Sequence, residues 1–205
     1  MFFHRYLIKA GDHNLSTNEI SEQEIVPEKI FIHHEYNYTS SVDFDIALVK
    51  LSHNVDLNRF VQTVCLPEKD EGDLAIPTTD GIVAGWGVTR ALRHGELPKH
   101  NDISKVLRHS VFTIQKDQVC LNKTVLHYNS TMTFCAGDGK GGSDTCQGDS
   151  GGAFVREIRR GRSLQWVVAG VVSWGEGCAQ KDKYGYYTRV YPFIHWIKKT
   201  MEERK

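Results

Sequence analysis

One stretch of the chain, residues 141–152 with the sequence GGSDTCQGDSGG, has the residue types of an exposed nucleophile loop. Glycine tolerates positive φ angles and leaves space for a substrate, so Ser150, set among glycines, is a candidate nucleophile. Cys146 can anchor the loop through a disulfide, and Asp144 can place a carboxylate at the bottom of a nearby pocket. A plain surface loop is the alternative for such a cluster. The pentapeptide GDSGG preceded by DTCQ is far more restrictive than a bare GxSxG.

A second candidate lies at the start of the apolar run 43–51, DFDIALVKL. From Asp45 onward the apolar residues are almost unbroken, which predicts a strand buried on both faces. A carboxylate that enters such a strand is partly buried and needs hydrogen-bond donors. Asp45 is therefore either a satisfied strand-capping residue or an acid that orients a catalytic base.

Together these two motifs resemble those of the trypsin-like (chymotrypsin-fold, S1 family) serine proteases, and the likeness covers the whole chain. The resemblance implies an all-β fold: two antiparallel six-stranded β-barrels, the first incomplete, and a C-terminal α-helix. Residues 1–205 then form one protease domain, with 1–75 as the remainder of the first barrel, 76–190 as the second barrel and 191–205 as the helix. Two-chain clotting and complement proteases are the most similar in type.

The pattern of short apolar runs between turn signals, followed by one amphipathic helical segment, also indicates a β-barrel architecture. Strands are expected at 6–10, 25–32, 45–51, 82–87, 105–114, 165–174 and 186–190, and helices at 115–122 and 191–203.

The resemblance assigns a role to each residue of the candidate site. Ser150 matches the nucleophile of acyl transfer, and Asp45 matches the acid that orients the histidine base. The backbone N–H groups of Gly148 and Ser150 match the oxyanion hole, where a glycine lets the peptide turn its N–H inward. Asp149 matches the carboxylate that pairs with the amino group freed on zymogen activation.

Substrate selection is expected to depend on Asp144, at the base of a slot walled by Gly175 and Gly185. A carboxylate there pairs with a basic side chain, which implies cleavage after Arg or Lys; a solvated loop carboxylate is the alternative. Ser173 and Trp174, with Gly175, resemble the edge segment that hydrogen-bonds an extended substrate as an added strand.

The cofactor expectation is limited to one monovalent cation. Tyr184 stands where an aromatic residue accompanies a sodium-binding loop in clotting and complement members of the family. The resemblance implies no other cofactor and no certain metal site.

The catalytic histidine is missing from its expected context. None of the ten histidines follows Ala-Ala and precedes Cys, and the family's activation sequence is also absent. His4 is nearest to the expected position but has no matching flank; His13, His33 and His34 are predicted to be surface residues, and His195 to lie on the terminal helix. We therefore expect an N-terminally truncated piece of a zymogen, with negligible proteolytic activity from these 205 residues alone.

Five cysteines and four Asn-x-Ser/Thr sequons favour an oxidising, extracellular location. The resemblance pairs Cys120 with Cys135 and Cys146 with Cys178. It leaves Cys65, whose Val-Cys-Leu-Pro context matches the cysteine that ties a protease domain to an upstream regulatory chain.

The balance of 25 basic and 25 acidic residues gives no general reason to expect nucleic acid or an anionic membrane as a partner. No apolar run is long enough for a membrane span. The resemblance implies protein substrates and macromolecular inhibitors as partners. The alternative function is that of a non-catalytic homologue that acts by binding, and the basic run 156–162 is either part of a polyanion site or a solvated hairpin.

Overall fold

The computed structural model describes residues 6–37, 42–68 and 71–203. In these ranges the chain forms ten β-strands and two α-helices, joined by turns and two short 3₁₀ segments. The strands are β1 (Ile8–Ala10), β2 (Gln23–Ile25), β3 (Pro27–Ile32), β4 (Ala47–Leu51), β5 (Asp80–Gly85), β6 (Arg108–Thr113), β7 (Thr133–Ala136), β8 (Ala153–Arg160), β9 (Ser163–Gly175) and β10 (Gly185–Arg189). The helices are α1 (Asp117–Asn122) and α2 (Ile194–Glu202).

The second half of the chain forms a closed antiparallel barrel. Its six strands pair in the order β6-β5-β8-β9-β10-β7. A bridge between Ile114 and Ala136 joins the two outer strands, and the Gln115 N–H donates to the Cys135 carbonyl at 2.9 Å. Inward-facing side chains alternate along the strands and fill the interior, as a small barrel requires. The large buried members of this core are Val83, Phe112, Phe134, Phe154, Val167 and Tyr187.

The first half contains two antiparallel pairs, β1–β2 and β3–β4. The strand expected over 25–32 is divided: β2 ends at Ile25 and β3 begins at Pro27, whose ring nitrogen cannot donate a ladder hydrogen bond. The prediction that the strand after Asp45 is buried on both faces is wrong, because Val49 is 45 % exposed and Lys50 is also exposed. Within the described residues, β4 pairs with β3 alone, so its other edge has no partner strand.

Helix α2 packs the two halves together. Phe193, Ile194 and Ile197 are buried against Val190 of the barrel and Ile46 from the first half. The predicted class is confirmed: the protein is mostly β, with a C-terminal helix. The boundary at residues 75/76 stays a prediction. Within the described ranges, no helix has the length and apolarity that crossing a bilayer requires.

His33 is not the surface residue that the sequence predicts. It is only 6 % exposed, since its ring lies in an aromatic cluster where it stacks on Phe44 at 5.1 Å and meets Trp196 at 4.9 Å. The edge of Phe193 lies 5.2 Å away. Apolar rings on several sides favour the uncharged imidazole, so His33 acts as a core residue of the first half.

We expect His33 to contribute a loss of stability as pH falls below about 6.5. Burial lowers the pKa of His33, the nearby His34 lowers it further, and Glu35 partly opposes both. The folded state then binds fewer protons than the unfolded state just below pH 6.5. The contribution of His33 to the free energy of unfolding therefore decreases as pH decreases. Measured by urea unfolding, His33→Phe should gain stability relative to the wild type as pH falls from 7 to 5, whereas the difference between the exposed His100→Gln and the wild type should not change with pH.

Candidate active site

Asp45 is held against the barrel by two hydroxyl groups. The Ser173 Oγ donates to the Asp45 Oδ2 at 2.6 Å, and the Thr188 Oγ1 donates to the Asp45 carbonyl at 2.9 Å. Ser173 lies near the end of β9 and Thr188 lies in β10, so a residue of the first half is positioned by the second. Thr188 was not anticipated from the sequence, although a threonine inside the buried run 185–189 is a polar residue that needs a partner.

The two residues that follow Ser150 are hydrogen-bonded to β9. The Gly151 N–H donates to the Val172 carbonyl at 2.9 Å, and the Val172 N–H donates to the Gly152 carbonyl at 2.9 Å. Ser150 itself is exposed. The hydroxyl is thus accessible to a substrate, while its backbone is fixed by the adjacent ladder.

Gly148 supports the predicted oxyanion hole through its backbone geometry. Its φ of +98° lies in a region that L side chains rarely adopt, and a Cβ there would lie 3.1 Å from the Gly87 Cα. The N–H groups of Asp149, Gly151 and Gly152 each donate a backbone hydrogen bond. Among the described residues, those of Gly148 and Ser150 have no such acceptor. Both N–H groups are therefore available to a ligand oxygen, and their role as oxyanion donors stays a prediction.

The end of β9 presents a free strand edge beside Ser150. Pairing with β8 starts at Ala153↔Val171, so residues 173–175 have no β8 partner. On the other side, Trp174 pairs with Tyr186, and its indole stacks on the tyrosine ring with centroids 3.8 Å apart. An extended peptide can therefore add to this edge by main-chain hydrogen bonds.

Asp144 lies at the bottom of a slot opposite Gly185. Its Oδ1 accepts from the Thr145 N–H at 2.8 Å and its Oδ2 from the Ala179 N–H at 3.0 Å. A Cβ at Gly185 would lie 3.0 Å from Asp144 Oδ1, so only glycine leaves the carboxylate open at that position. Burial raises the pKa of Asp144 to about 6, although the two N–H donors partly counteract this effect and the charge of Asp149 adds to it.

Asp149 points away from the cleft toward the barrel. Its Oδ1 accepts from the Gly87 N–H at 2.8 Å and its Oδ2 from the Cys146 N–H at 3.0 Å. The carboxylate borders a cavity of about 200 Å³ that Asp144 and Gly85 also line. Arg90 and Arg108 also line this cavity, so both acidic and basic side chains border it.

The structure contains the two disulfides that the resemblance implies, Cys120–Cys135 and Cys146–Cys178. The second ties the nucleophile loop to the segment after β9 and thereby supports the slot around Asp144. Cys65 has a free, half-buried thiol, with its Sγ 3.6 Å from Gln165 Oε1. Its backbone is anchored because its N–H donates to the Trp166 carbonyl at 3.0 Å.

No histidine of the described ranges 6–37, 42–68 and 71–203 hydrogen-bonds to Asp45 or Ser150. His127 contacts a different carboxylate, with its Nε2 3.5 Å from Asp43 Oδ2. His13 and His195 are exposed, and His4 lies outside the described residues. The residues predicted as nucleophile, acid and oxyanion donors are therefore present, and none of the histidines in these ranges hydrogen-bonds to Asp45 or Ser150.

Two further groups concern ions. The carboxylates of Asp12, Glu19 and Glu22 lie within 4.8 Å of one another and could hold a divalent cation, although Lys9 already pairs with Glu22 at 2.8 Å. The only sequence signal for this group is the number of acidic residues near the turn after β1. The sodium site predicted beside Tyr184 stays a prediction.

The basic run 156–162 is partly used inside the molecule. Arg156 Nε donates to the Asp80 carbonyl at 3.2 Å, and Arg160 forms an ion pair with Glu71 at 2.6 Å. Arg159 and Arg162 are exposed. The arrangement favours a solvated hairpin over a site for polyanions.

Comparison with known proteins identifies the family of the chain. A family model described as Trypsin matches residues 3–197. The chain belongs to the trypsin family. This trypsin-like serine protease domain is 34 % identical to coagulation factor IX of Cavia porcellus over 190 residues, which cover 92 % of this chain and 62 % of that protein. The chain thus spans less than two thirds of the length of this curated relative.

Proposed function

We propose that this protease domain is the catalytic part of a secreted endopeptidase that cleaves peptide bonds after Arg or Lys. One arrangement carries the proposal: the half-buried Asp144 carboxylate faces Gly185 in a slot, with an exposed Ser150 and a free strand edge beside it. A substrate bound along the edge would place a basic side chain in the slot and its carbonyl near the serine.

In the proposed reaction, the Ser150 Oγ attacks the carbonyl carbon while its proton moves to a histidine. The N–H groups of Gly148 and Ser150 stabilise the oxyanion, and collapse of the intermediate releases the amine after it takes up that proton. Asp45 would hold the histidine by its ring N–H, as Ser173 holds Asp45. The described residues include a candidate for each of these parts except the base.

Regulation by proteolytic activation is part of the proposal. Asp149 already has two backbone donors, and the adjoining cavity of about 200 Å³ is large enough for a small side chain and an ammonium group. Among the described residues, the Asp149 side chain has backbone donors and no ion pair, and a freed chain terminus that bound there would supply one.

Two features support secretion and a larger assembly. The sequons at Asn14, Asn37, Asn122 and Asn129, with two disulfides, fit an oxidising compartment. The free thiol of Cys65 supports a disulfide to an upstream chain. Macromolecular inhibitors are further proposed partners, since they would bind the same edge and slot.

Chemical rescue tests the proposed catalytic role of Ser150. The 205-residue chain alone should hydrolyse an arginine ester negligibly, because the described residues offer no base. Added imidazole should raise the rate at least about tenfold, since a positioned base contributes about 10²–10⁴-fold and a diffusing one contributes less. Ser150→Ala should show only the uncatalysed rate with imidazole, and an equal acceleration in that variant would contradict the proposal.

The second candidate is a non-catalytic homologue that acts by binding, and the missing contact between any described histidine and Asp45 favours it. Its test uses p-aminobenzamidine, a cationic ligand of the Asp144 slot. Binding of this ligand without any imidazole-dependent hydrolysis would support the binding function over the enzyme.

A further inference from the structure

Glu176 is a buried charged residue that the proposed reaction does not use. Its side chain is only 4 % exposed, yet it follows Gly175, the last residue of the free edge, directly. Its Oε1 accepts from the Thr124 Oγ1 at 3.0 Å and from the Val125 N–H at 3.0 Å. Its Oε2 forms an ion pair with Lys183.

These contacts connect three separate segments, and we name the four residues Thr124, Val125, Glu176 and Lys183 the Glu176 clamp. Thr124 and Val125 belong to the loop after α1, and Lys183 belongs to the loop before β10. Lys183 also donates to the Lys123 carbonyl at 3.4 Å, which joins the two outer segments to each other. A buried carboxylate with this many partners retains its charge, and the Lys183 ammonium and the donors lower its pKa despite burial.

The Glu176 clamp lies next to the aromatic pair that supports the edge. The Tyr186 hydroxyl donates to the Cys120 carbonyl at 2.9 Å, and its ring stacks on Trp174 nearly parallel, at 3°. The Glu176 charge contributes to the raised pKa of Tyr186, although burial is the larger cause. Within the segment 173–175, the indole of Trp174 therefore stacks on Tyr186, and the C-terminal end of the segment leads directly into the Glu176 clamp.

We propose that Glu176 is a positioning residue for the substrate: through Lys183 and the loop after α1, it holds the 173–175 edge in the extended geometry that a peptide needs. The inference rests on the proposed function, because it concerns the edge beside Ser150. The clamp is expected to affect binding of the substrate residues upstream of the cleaved bond, which pair with the edge. It is not expected to affect binding of the basic side chain, which pairs with Asp144.

Two ligands separate these contributions. p-Aminobenzamidine fills the Asp144 slot alone, whereas an acetylated tripeptide amide ending in arginine also needs the edge. Glu176→Gln and Lys183→Met should weaken binding of the tripeptide about tenfold and leave binding of p-aminobenzamidine within about twofold, measured by calorimetry and fluorescence titration. Lys183→Arg should bind the tripeptide like the wild type, because it keeps the charge.

The control is Asp182→Asn, on the same loop as Lys183. It breaks the exposed ion pair between Asp182 and Lys123 and should leave both affinities unchanged. Hydrogen exchange adds a readout without ligand: amides of residues 173–176 should exchange faster in Glu176→Gln than in the control. If the wild type binds p-aminobenzamidine and the tripeptide affinity does not depend on Glu176 or Lys183, the inference alone is wrong. If the wild type binds neither ligand, the proposed function fails and the inference fails with it.

Discussion

Replacement of Asp144 by asparagine is expected to weaken binding of p-aminobenzamidine by about 100-fold or more, because a buried cation without its partner loses about 2–5 kcal/mol. In the wild type, affinity should be about tenfold lower at pH 5 than at pH 7, because the pKa of Asp144 is about 6 and only the ionised form pairs with the ligand. Asp144→Asn should show no such pH dependence. A fluorescence titration between pH 5 and pH 8 measures both effects.

Asp138→Asn is the matched control, since it removes an equal charge from an exposed position near the slot. The Asp138 charge contributes to the raised pKa of Asp144, so this variant should keep the affinity within a few-fold and move the pH midpoint slightly downward. A wild-type affinity that does not change between pH 5 and pH 8 would contradict the assignment of Asp144.

The Asp144→Asn substitution should also stabilise the fold at neutral pH. Because burial raises the pKa of Asp144 above its unfolded value, the folded state binds more protons between about pH 4 and pH 6, and the free energy of unfolding falls as pH rises through this window. At pH 7 the Asp144 carboxylate is ionised, and its burial then lowers the free energy of unfolding by the full amount. Asp144→Asn should therefore be about 1–2 kcal/mol more stable at pH 7 and nearly equal at pH 4, since its amide also gives up one N–H hydrogen bond.

Arg189→Met is expected to lower the free energy of unfolding by about 3–5 kcal/mol, because it leaves buried acceptors and a carboxylate without their partner. The Arg189 side chain is 8 % exposed. Its Nη1 donates to Asp73 Oδ2 at 2.7 Å and to the Ala75 carbonyl at 3.1 Å, and its Nε donates to the carbonyls of Ser130 and Thr133. The guanidinium thus joins β10 to the linker between the halves and to the loop before β7.

Urea unfolding at pH 7 measures the effect, with two comparisons. Arg189→Lys keeps the charge without the planar fork and should lose an intermediate amount of stability. Arg162→Met changes an exposed arginine of the β8–β9 hairpin and should stay within about 0.5 kcal/mol of the wild type. Equal loss in Arg189→Met and Arg162→Met would show that the buried network contributes nothing.

Local sequence was sufficient where the signal is short-range. The motif around Ser150 identified the family, and the β runs at 165–174 and 186–190 gave strands close to those observed. Strand boundaries were less certain where proline intervenes, as at Pro27. The status of His33 was missed because its neighbours Phe44, Phe193 and Trp196 come from distant parts of the chain.

By itself, then, the sequence determined the fold class and the residues of the candidate site, because turn glycines, apolar periodicity and one restrictive motif are properties of neighbouring residues. Only the tertiary structure decided that Ser173 and Thr188 hold Asp45, that β9 is free of β8 beyond Val171, and that Glu176 connects three loops. These features depend on which strands pair and on which charges become buried together. Both are set by contacts between segments far apart in the chain, which no local pattern records.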